Sequence, residues 1–350
     1  MEITRIGLDL AKSVFQVHGV DRSGRKMLSK KLSRQQVLPF FANLQPCLVG
    51  MEACGGAHFW ARKLQALGHT VRLIPPQYVK PYVKTHKNDA VDAEGICEAV
   101  GRPNMRFVAI KTVEQQSILM LHNARRGCVK ARTAKANDIR GELAEFGLVL
   151  PKGLHKVMEQ LPDVIEDATN ELPGAARHLL LRLYEQLREL DAQVKQFDVQ
   201  IAQASRDNPA SRRLEGVPGI GPVTASAFVA KLGNPSNFAN GRQVSSWLGV
   251  VPRQHSSGGK QLLLGITKHG DVYLRTLMIH GARSVITAVQ RQVQPDPRWN
   301  WLIELVKRRG INVAAVALAN KNARIAWALL ARDRDFDAHH QAKLHEEAAA

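Results

Sequence analysis

The stretch Ile3-Thr4-Arg5-Ile6-Gly7-Leu8-Asp9 decides the reading of the chain. It is an apolar run of strand length that ends on a carboxylate, and a buried strand rarely holds a lone carboxylate without a partner charge or a metal. The arrangement recurs at Cys47-Leu48-Val49-Gly50-Met51-Glu52, where Glu52 closes a second apolar run. Asp89 and Asp92 stand three apart in Asn88-Asp89-Ala90-Val91-Asp92-Ala93, so a helix there projects both from one face. Asp9, Glu52, Asp89 and Asp92 therefore read as a converging cluster.

Outward from residues 3–9, strand and helix signals alternate. Residues 3–9, 14–20 and about 26–33 are short β-type runs joined by Ala11-Lys12 and Asp21-Arg22-Ser23-Gly24, as in an antiparallel meander. Crossovers follow: a helical stretch near 34–44, the strand 47–52, a helix near 57–67 ended by Gly68, and Val71-Arg72-Leu73-Ile74 before Pro75-Pro76. Three antiparallel strands followed by βαβ units predict a mixed α/β sheet with helices on its faces.

Charge narrows the partner. Among 350 residues, 49 Lys and Arg stand against 31 Asp and Glu, a net charge of +18, with 45% hydrophobic residues to build a core. Such a balance is unusual for an enzyme of small metabolites and suits a protein that displaces counterions from nucleic acid. No run of 18 apolar residues exists, and Met1-Glu2-Ile3-Thr4-Arg5 lacks the features of a signal peptide. The expected location is the cytoplasm, with no membrane partner. Cys47, Cys54, Cys97 and Cys128 form no Cys-x-x-Cys pair and read as core thiols rather than zinc ligands or disulfides.

Beyond residue 110 the pattern turns helical. Residues 112–147 read as one long helix carrying Arg125, Arg126, Lys130, Arg132, Lys135 and Arg140, and the first four are the candidate backbone contacts to nucleic acid. Leu180, Leu183, Leu187, Leu190, Val194, Phe197 and Ile201 recur at spacings of three and four. This coiled-coil seam over three heptads predicts self-association as a dimer or tetramer; an intramolecular helix pair would give the same spacing. Gly216-Val217-Pro218-Gly219-Ile220-Gly221-Pro222 is a tight turn opening a helix from Thr224 to about Leu232, of helix-hairpin-helix type, with Gly219 and Gly221 placed to meet a phosphate. In Pro252-Arg253-Gln254-His255-Ser256-Ser257-Gly258-Gly259-Lys260, a serine precedes two glycines among cations, a setting in which a hydroxyl can attack a phosphate.

Taken together, the four acids with Lys87-Asn88-Asp89-Ala90-Val91-Asp92-Ala93, the turn Pro218-Gly219-Ile220-Gly221-Pro222, the segment Gly249 to Lys260, Ile266-Thr267-Lys268-His269-Gly270-Asp271-Val272-Tyr273-Leu274-Arg275 and the stretch Val313 to Trp327 resemble one family in order and spacing. It is that of the DEDD transposases of bacterial insertion sequences, the IS-one-ten family with its IS-eleven-eleven branch and the Piv-type DNA invertases. The resemblance implies a RuvC-like, ribonuclease-H-like α/β domain in which Asp9, Glu52, Asp89 and Asp92 bind Mg²⁺, or Mn²⁺ in its place. It implies a mainly α C-terminal transposase domain whose serine, in a Pro-x-x-x-x-Ser-Gly setting, becomes covalently linked to DNA. Counting from Pro252 places that serine at Ser257, with Ser256 one residue away as the alternative. The family also implies a structured guide RNA, the bridge RNA, that pairs with donor and target DNA.

The expected organisation is 1–110 RuvC-like domain, 111–208 basic helix and coiled coil, 209–335 transposase domain, and 336–350 flexible tail. Arg253, Lys260 and Lys268 join the candidate nucleic-acid contacts, as do Lys84, His86 and Lys87 ahead of the acid pair. Glu94 and Glu98 are the alternative ligands. Each acid also has a plain structural use: Asp9 paired with Lys12, Glu52 with Arg62, and Asp89 and Asp92 at a helix start. Two other function classes compete. A structure-selective, junction-resolvase-like nuclease would use the acids and water without the serine. A non-catalytic nucleic-acid-binding protein would need no divalent metal.

Overall fold

Continuous burial along the first two strands, with both faces covered, builds the sheet. Ile6 and Leu8 of β1 (Arg5–Asp9) and Phe15 and Val17 of β2 (Val14–Val20) are wholly buried, whereas β3 (Lys26–Ser33) exposes most of its residues, Lys26, Lys30 and Lys31 among them. Lysines on an outer strand discourage pairing with another chain. The remaining elements of this region are α1 (Val37–Ala42), β4 (Leu48–Glu52), α2 (Ala57–Ala66), β5 (Thr70–Ile74), α3 (Pro76–Val79) and α4 (Asp89–Val100). The five strands lie in the order β3-β2-β1-β4-β5, antiparallel across β1–β2 and β2–β3 and parallel across β1–β4 and β4–β5. This is the mixed sheet expected from the sequence. One core joins Phe15, Phe41, Trp60 and Leu64 to the sheet, and a smaller cluster gathers Ile74, Val79, Ile96 and Val100.

The computed structural model describes residues 2–83 and 88–338. Lys84, His86 and Lys87, and the tail from residue 339 onward, lie outside the described residues. The chain divides into two units, Met1–Glu114 and Gln115–Ala350. The helical segment expected at 111–208 thus shares a unit with the segment expected at 209–335.

That second unit is helical: α5 (Val113–Ala144), α6 (Leu154–Glu166), α7 (Gly174–Asp207), α8 (Pro209–Glu215), α9 (Pro222–Leu232) and α10 (Gly241–Leu248), then a two-stranded ribbon of β6 (Pro252–Gln254) and β7 (Leu263–Ile266), then α11 (Val272–Gln290), α12 (Asn300–Arg309) and α13 (Ile311–Arg332). Its central core gathers Phe228, Leu248, Met278, Leu302, Leu318 and Ala323 from α9 to α13.

The heptad seam is used inside the chain. Leu180 and Leu187 of α7 pack with Ala136, Ile139 and Leu143 of α5 and with Val157 and Leu161 of α6, so a helix pair within one chain covers what the spacing assigned to self-association. Arg125 bonds Asp198 at 2.5 Å and Arg132 bonds Asp191 at 2.6 Å. The cations are seven residues apart and their acids seven apart in reverse, which sets α5 and α7 antiparallel. His122, buried on α5, adds a polar tie: its Nδ1 lies 3.0 Å from the Tyr273 hydroxyl and its Nε2 3.1 Å from Ser226 Oγ. Burial, then Arg125 and Lys231, lower its pKa to about 4, so the ring is neutral at physiological pH.

Candidate active site

Two glycines let the acids meet. In the β1–β4 register Gly7 stands opposite Gly50, and Leu8 opposite Met51. Side chains on a strand alternate, so Asp9 shares the face of Gly7, and Glu52 that of Gly50, at the C-terminal ends of two adjacent parallel strands. Helix α4 crosses that face at backbone contact. A Cβ on Gly7 would collide with the Ala93 carbonyl and lie 2.5 Å from the Cys97 nitrogen, and one on Gly50 would lie 2.6 Å from Val100 Cβ. The paired Gly-x-acid spacing, Gly7-Leu8-Asp9 and Gly50-Met51-Glu52, is the signal that the sequence reading passed over.

Asn88 starts α4, its side chain accepting a hydrogen bond from the Ala90 amide at 3.0 Å, and this puts Asp89 and Asp92 in the first turn. Carboxylate oxygens of Asp9, Asp89 and Asp92 lie within 4.8 Å of one another, the one such group of possible metal ligands among the described residues. Burial raises the pKa of Asp9 to about 6, followed by the charges of Asp92, Asp89 and Glu52, while the Leu10 amide opposes the shift. Glu52 thus acts on Asp9 electrostatically, although it is not one of the three converging residues. Of the alternative ligands on α4, Glu98 pairs with Arg102 one turn on. Arg62 donates to the Lys111 carbonyl at 2.5 Å. Hard oxygen donors of concentrated negative charge fit a hard divalent cation.

The cysteines part company. Cys47 and Cys97 are core thiols as expected, Cys128 is half-buried against Gln193, and Cys54 is exposed on the loop after Glu52. That loop turns away from the core between β4 and α2, which is why an apolar reading of Cys54 fails.

The serine segment is a hairpin. Ser257 and Lys260 bridge across its tip, with the Lys260 amide donating to the Ser257 carbonyl at 3.0 Å. Gly258 and Gly259 both have positive φ, 55° and 80°, as a two-residue type I′ turn requires. Ser256, Ser257, Arg253, His255 and Lys260 are all exposed, and so are Leu262, Leu263 and Leu264 on the returning strand. Lys268 is exposed beyond the ribbon at a φ of 57°, held by its backbone N–H donating to the Gly249 carbonyl at 3.1 Å.

The remaining nucleic-acid candidates divide. Lys130 and Arg126 are exposed, the latter lying over the Tyr273 ring, but Arg125 and Arg132 face α7 in the ion pairs above. The charge run on α5 is therefore split between an internal seam and solvent. At the Val217–Gly221 turn between α8 and α9, Gly219 packs against the Gly281 backbone of α11, whereas Gly221 is exposed.

Residues 6–147 match the family described as Transposase and labelled DEDD_Tnp_IS110, and residues 211–296 match the Transposase IS116/IS110/IS902 family. The chain is 52% identical to a probable family 20 transposase of Pseudomonas aeruginosa, over 95% of this chain and 98% of that protein. It is 43% identical to the transposase for insertion sequence element IS1111A of Coxiella burnetii, over 96% and 92% of the two chains. A more distant relative, 22% identical over 96% and 98%, is a pilin gene-inverting protein of Moraxella lacunata. Together with a mixed sheet that gathers acids at one end of its central strands, these matches show that the chain belongs to the IS110 family of DEDD insertion-sequence transposases, as an enzyme that acts on DNA through a divalent metal.

Proposed function

We propose that this transposase cuts and rejoins DNA with Asp9, Glu52, Asp89 and Asp92 as the ligands of Mg²⁺ and Ser257 as the nucleophile. The convergence of the Asp9, Asp89 and Asp92 oxygens within 4.8 Å carries the reading. When bound, the divalent ion supplies Lewis-acid charge to the scissile phosphate. Asp9 must lose its proton to serve as a ligand, and burial, then the neighbouring acids, hold that proton on to about pH 6. Arg253 and Lys260, flanking Ser257 in the hairpin, supply cations for the non-bridging phosphate oxygens. Ser257 Oγ then bonds to phosphorus and gives its proton to water. The bond from phosphorus to the bridging strand oxygen breaks, and that strand end takes a proton from water and leaves as a hydroxyl. A phosphodiester is exchanged for a phosphoserine ester of similar energy, so a second strand hydroxyl can reverse the step without a high-energy cofactor.

Sequence choice belongs, in this proposal, to a structured guide RNA that pairs with element ends and target while the protein reads backbone and shape. The net charge of +18 and an aromatic content of only 5% support that division of labour. The acting species is a dimer or larger assembly of this chain. The test is to incubate the protein with RNA from the element's flanks, junction DNA and Mg²⁺, denature, and look for a protein–DNA adduct mapped to one serine. The adduct is expected on Ser257 and absent from a Ser257→Ala chain. Cutting by Ser257→Ala with no adduct in either protein would assign the acids to a water-using nuclease.

A further inference from the structure

A cavity of about 340 Å³ in the second unit is lined by Asn240, Gly241, Arg242, Arg324, Trp327 and Ala328. Helices α10 and α13 meet there so closely that a Cβ on Gly241 would lie 2.9 Å from Arg324 Cα. The approach brings two arginines to one opening, both exposed and neither in an ion pair among the described residues. The sequence explains the imbalance: there is no acid between Glu215 and Asp271, and none between Glu304 and Asp333, so both walls are built from stretches without a carboxylate. Lys321, one turn from Arg324, has its pKa lowered first by burial and then by Arg324. The aromatic wall is held in place, since Trp327 Nε1 donates to the Pro235 carbonyl at 3.1 Å.

Positive charge with no internal partner calls for an anion, and a fixed indole beside it calls for a flat ring. We propose that this cavity binds one unpaired nucleotide of a nucleic-acid strand, its base against Trp327 and its flanking phosphates on Arg242 and Arg324. A base can enter only after leaving its stack, so the site selects single strands over duplex. The choice of a nucleotide rests on the reading of this chain as a DNA-acting enzyme, but neither the acids nor Ser257 take part in it.

The test uses the full chain and fluorescence anisotropy with an oligonucleotide of about twelve nucleotides, as single-stranded DNA, as single-stranded RNA and as duplex, over a range of salt. The double variant Arg242→Ala/Arg324→Ala is expected to bind single strands tenfold or more weakly, with the slope of log K against log salt reduced by about 1.4 for two lost phosphate contacts. Trp327→Leu, which keeps an apolar side chain, is expected to lose roughly tenfold at unchanged slope while Trp327→Phe binds as the parent. Duplex binding should change less than about twofold in all of them. A loss confined to DNA or to RNA supports the proposal and names the source of the strand. Equal losses on duplex and single strands, or single-strand binding untouched by both the arginine and Trp327→Leu variants, overturn it. Should Trp327→Leu melt early, the two exposed arginine positions still decide. Adduct formation at Ser257 is a separate readout, so either proposal can fail alone.

Discussion

Asp9 carries the clearest titration in the proposed metal site. Burial and three neighbouring acids hold its pKa near 6 instead of the usual 3.8, so the raised value favours the protonated form in the folded chain. The sign follows: the contribution of Asp9 to stability without metal is present below about pH 3.8 and is lost as pH rises through about 6. A divalent ion must displace that proton. We expect Mn²⁺ affinity, followed by calorimetry, to fall about tenfold per pH unit below pH 6 and to level off above it. In Asp9→Asn the pH dependence should vanish along with strand cutting, which drops by on the order of 10³-fold. An affinity flat from pH 5 to 7 in the parent chain would remove Asp9 from the metal.

Gly7 and Gly50 govern the elements as Asp9 governs the chemistry. Gly7→Ala would drive a methyl into the backbone of α4 at Ala93 and Cys97, and the helix would move with Asp89 and Asp92 on it. We expect a loss of about 1–3 kcal/mol in stability and at least tenfold in metal affinity, read by thermal melting and by Mn²⁺ titration. Gly127, mid-helix in α5 and facing open space, is the internal control, since alanine there should stabilise by about 1 kcal/mol. These two outcomes separate glycines that a close approach requires from one that helix propensity alone would replace. Most of the strands were legible because a short β-type run between turn residues is a short-range signal: the runs 14–20 and 26–33 coincide with β2 and β3. The convergence of Asp9, Asp89 and Asp92 was legible from residue type and order, whereas Glu52, expected with them, is not one of the converging three. The glycine pair was not legible, because a close approach is a property of two segments. The sequence likewise left open which partner covers the seam on α7, since Leu180 and Leu187 show the same spacing whether that partner is α5 or a second chain.

At the scale of the whole molecule, an acid cluster near the N-terminus and a serine some hundred and sixty residues after Asp92 are proposed to serve one reaction. Copies of the chain need not each supply both. We expect a mixture of Ser257→Ala and Asp9→Ala chains to regain adduct formation, to roughly a quarter to a half of the parent level, if partners exchange groups between subunits. No regained adduct from a mixture that demonstrably co-assembles would assign both groups to a single copy. The charges on α5 also belong to this scale. Arg125 and Arg132 fasten α5 to α7, so replacing them should lower thermal stability before it alters DNA binding, while Lys130 and Arg126 remain open to solvent.

The hairpin at residues 252–266 also bears on the proposed choice between the two adjacent serines. Consecutive side chains along a ribbon leave opposite sides, so on the arm held by the His255 amide to the Leu262 carbonyl and by the Ser257–Lys260 bridge, Ser256 and Ser257 project to opposite sides, and exchanging them takes a slip of that arm by one residue. The two-residue turn at Gly258-Gly259 locks that slip out. With Ser257 as the proposed nucleophile, a chain that lost its hydroxyl would find no spare in Ser256 short of re-setting the ribbon's register, a larger change than any single replacement makes.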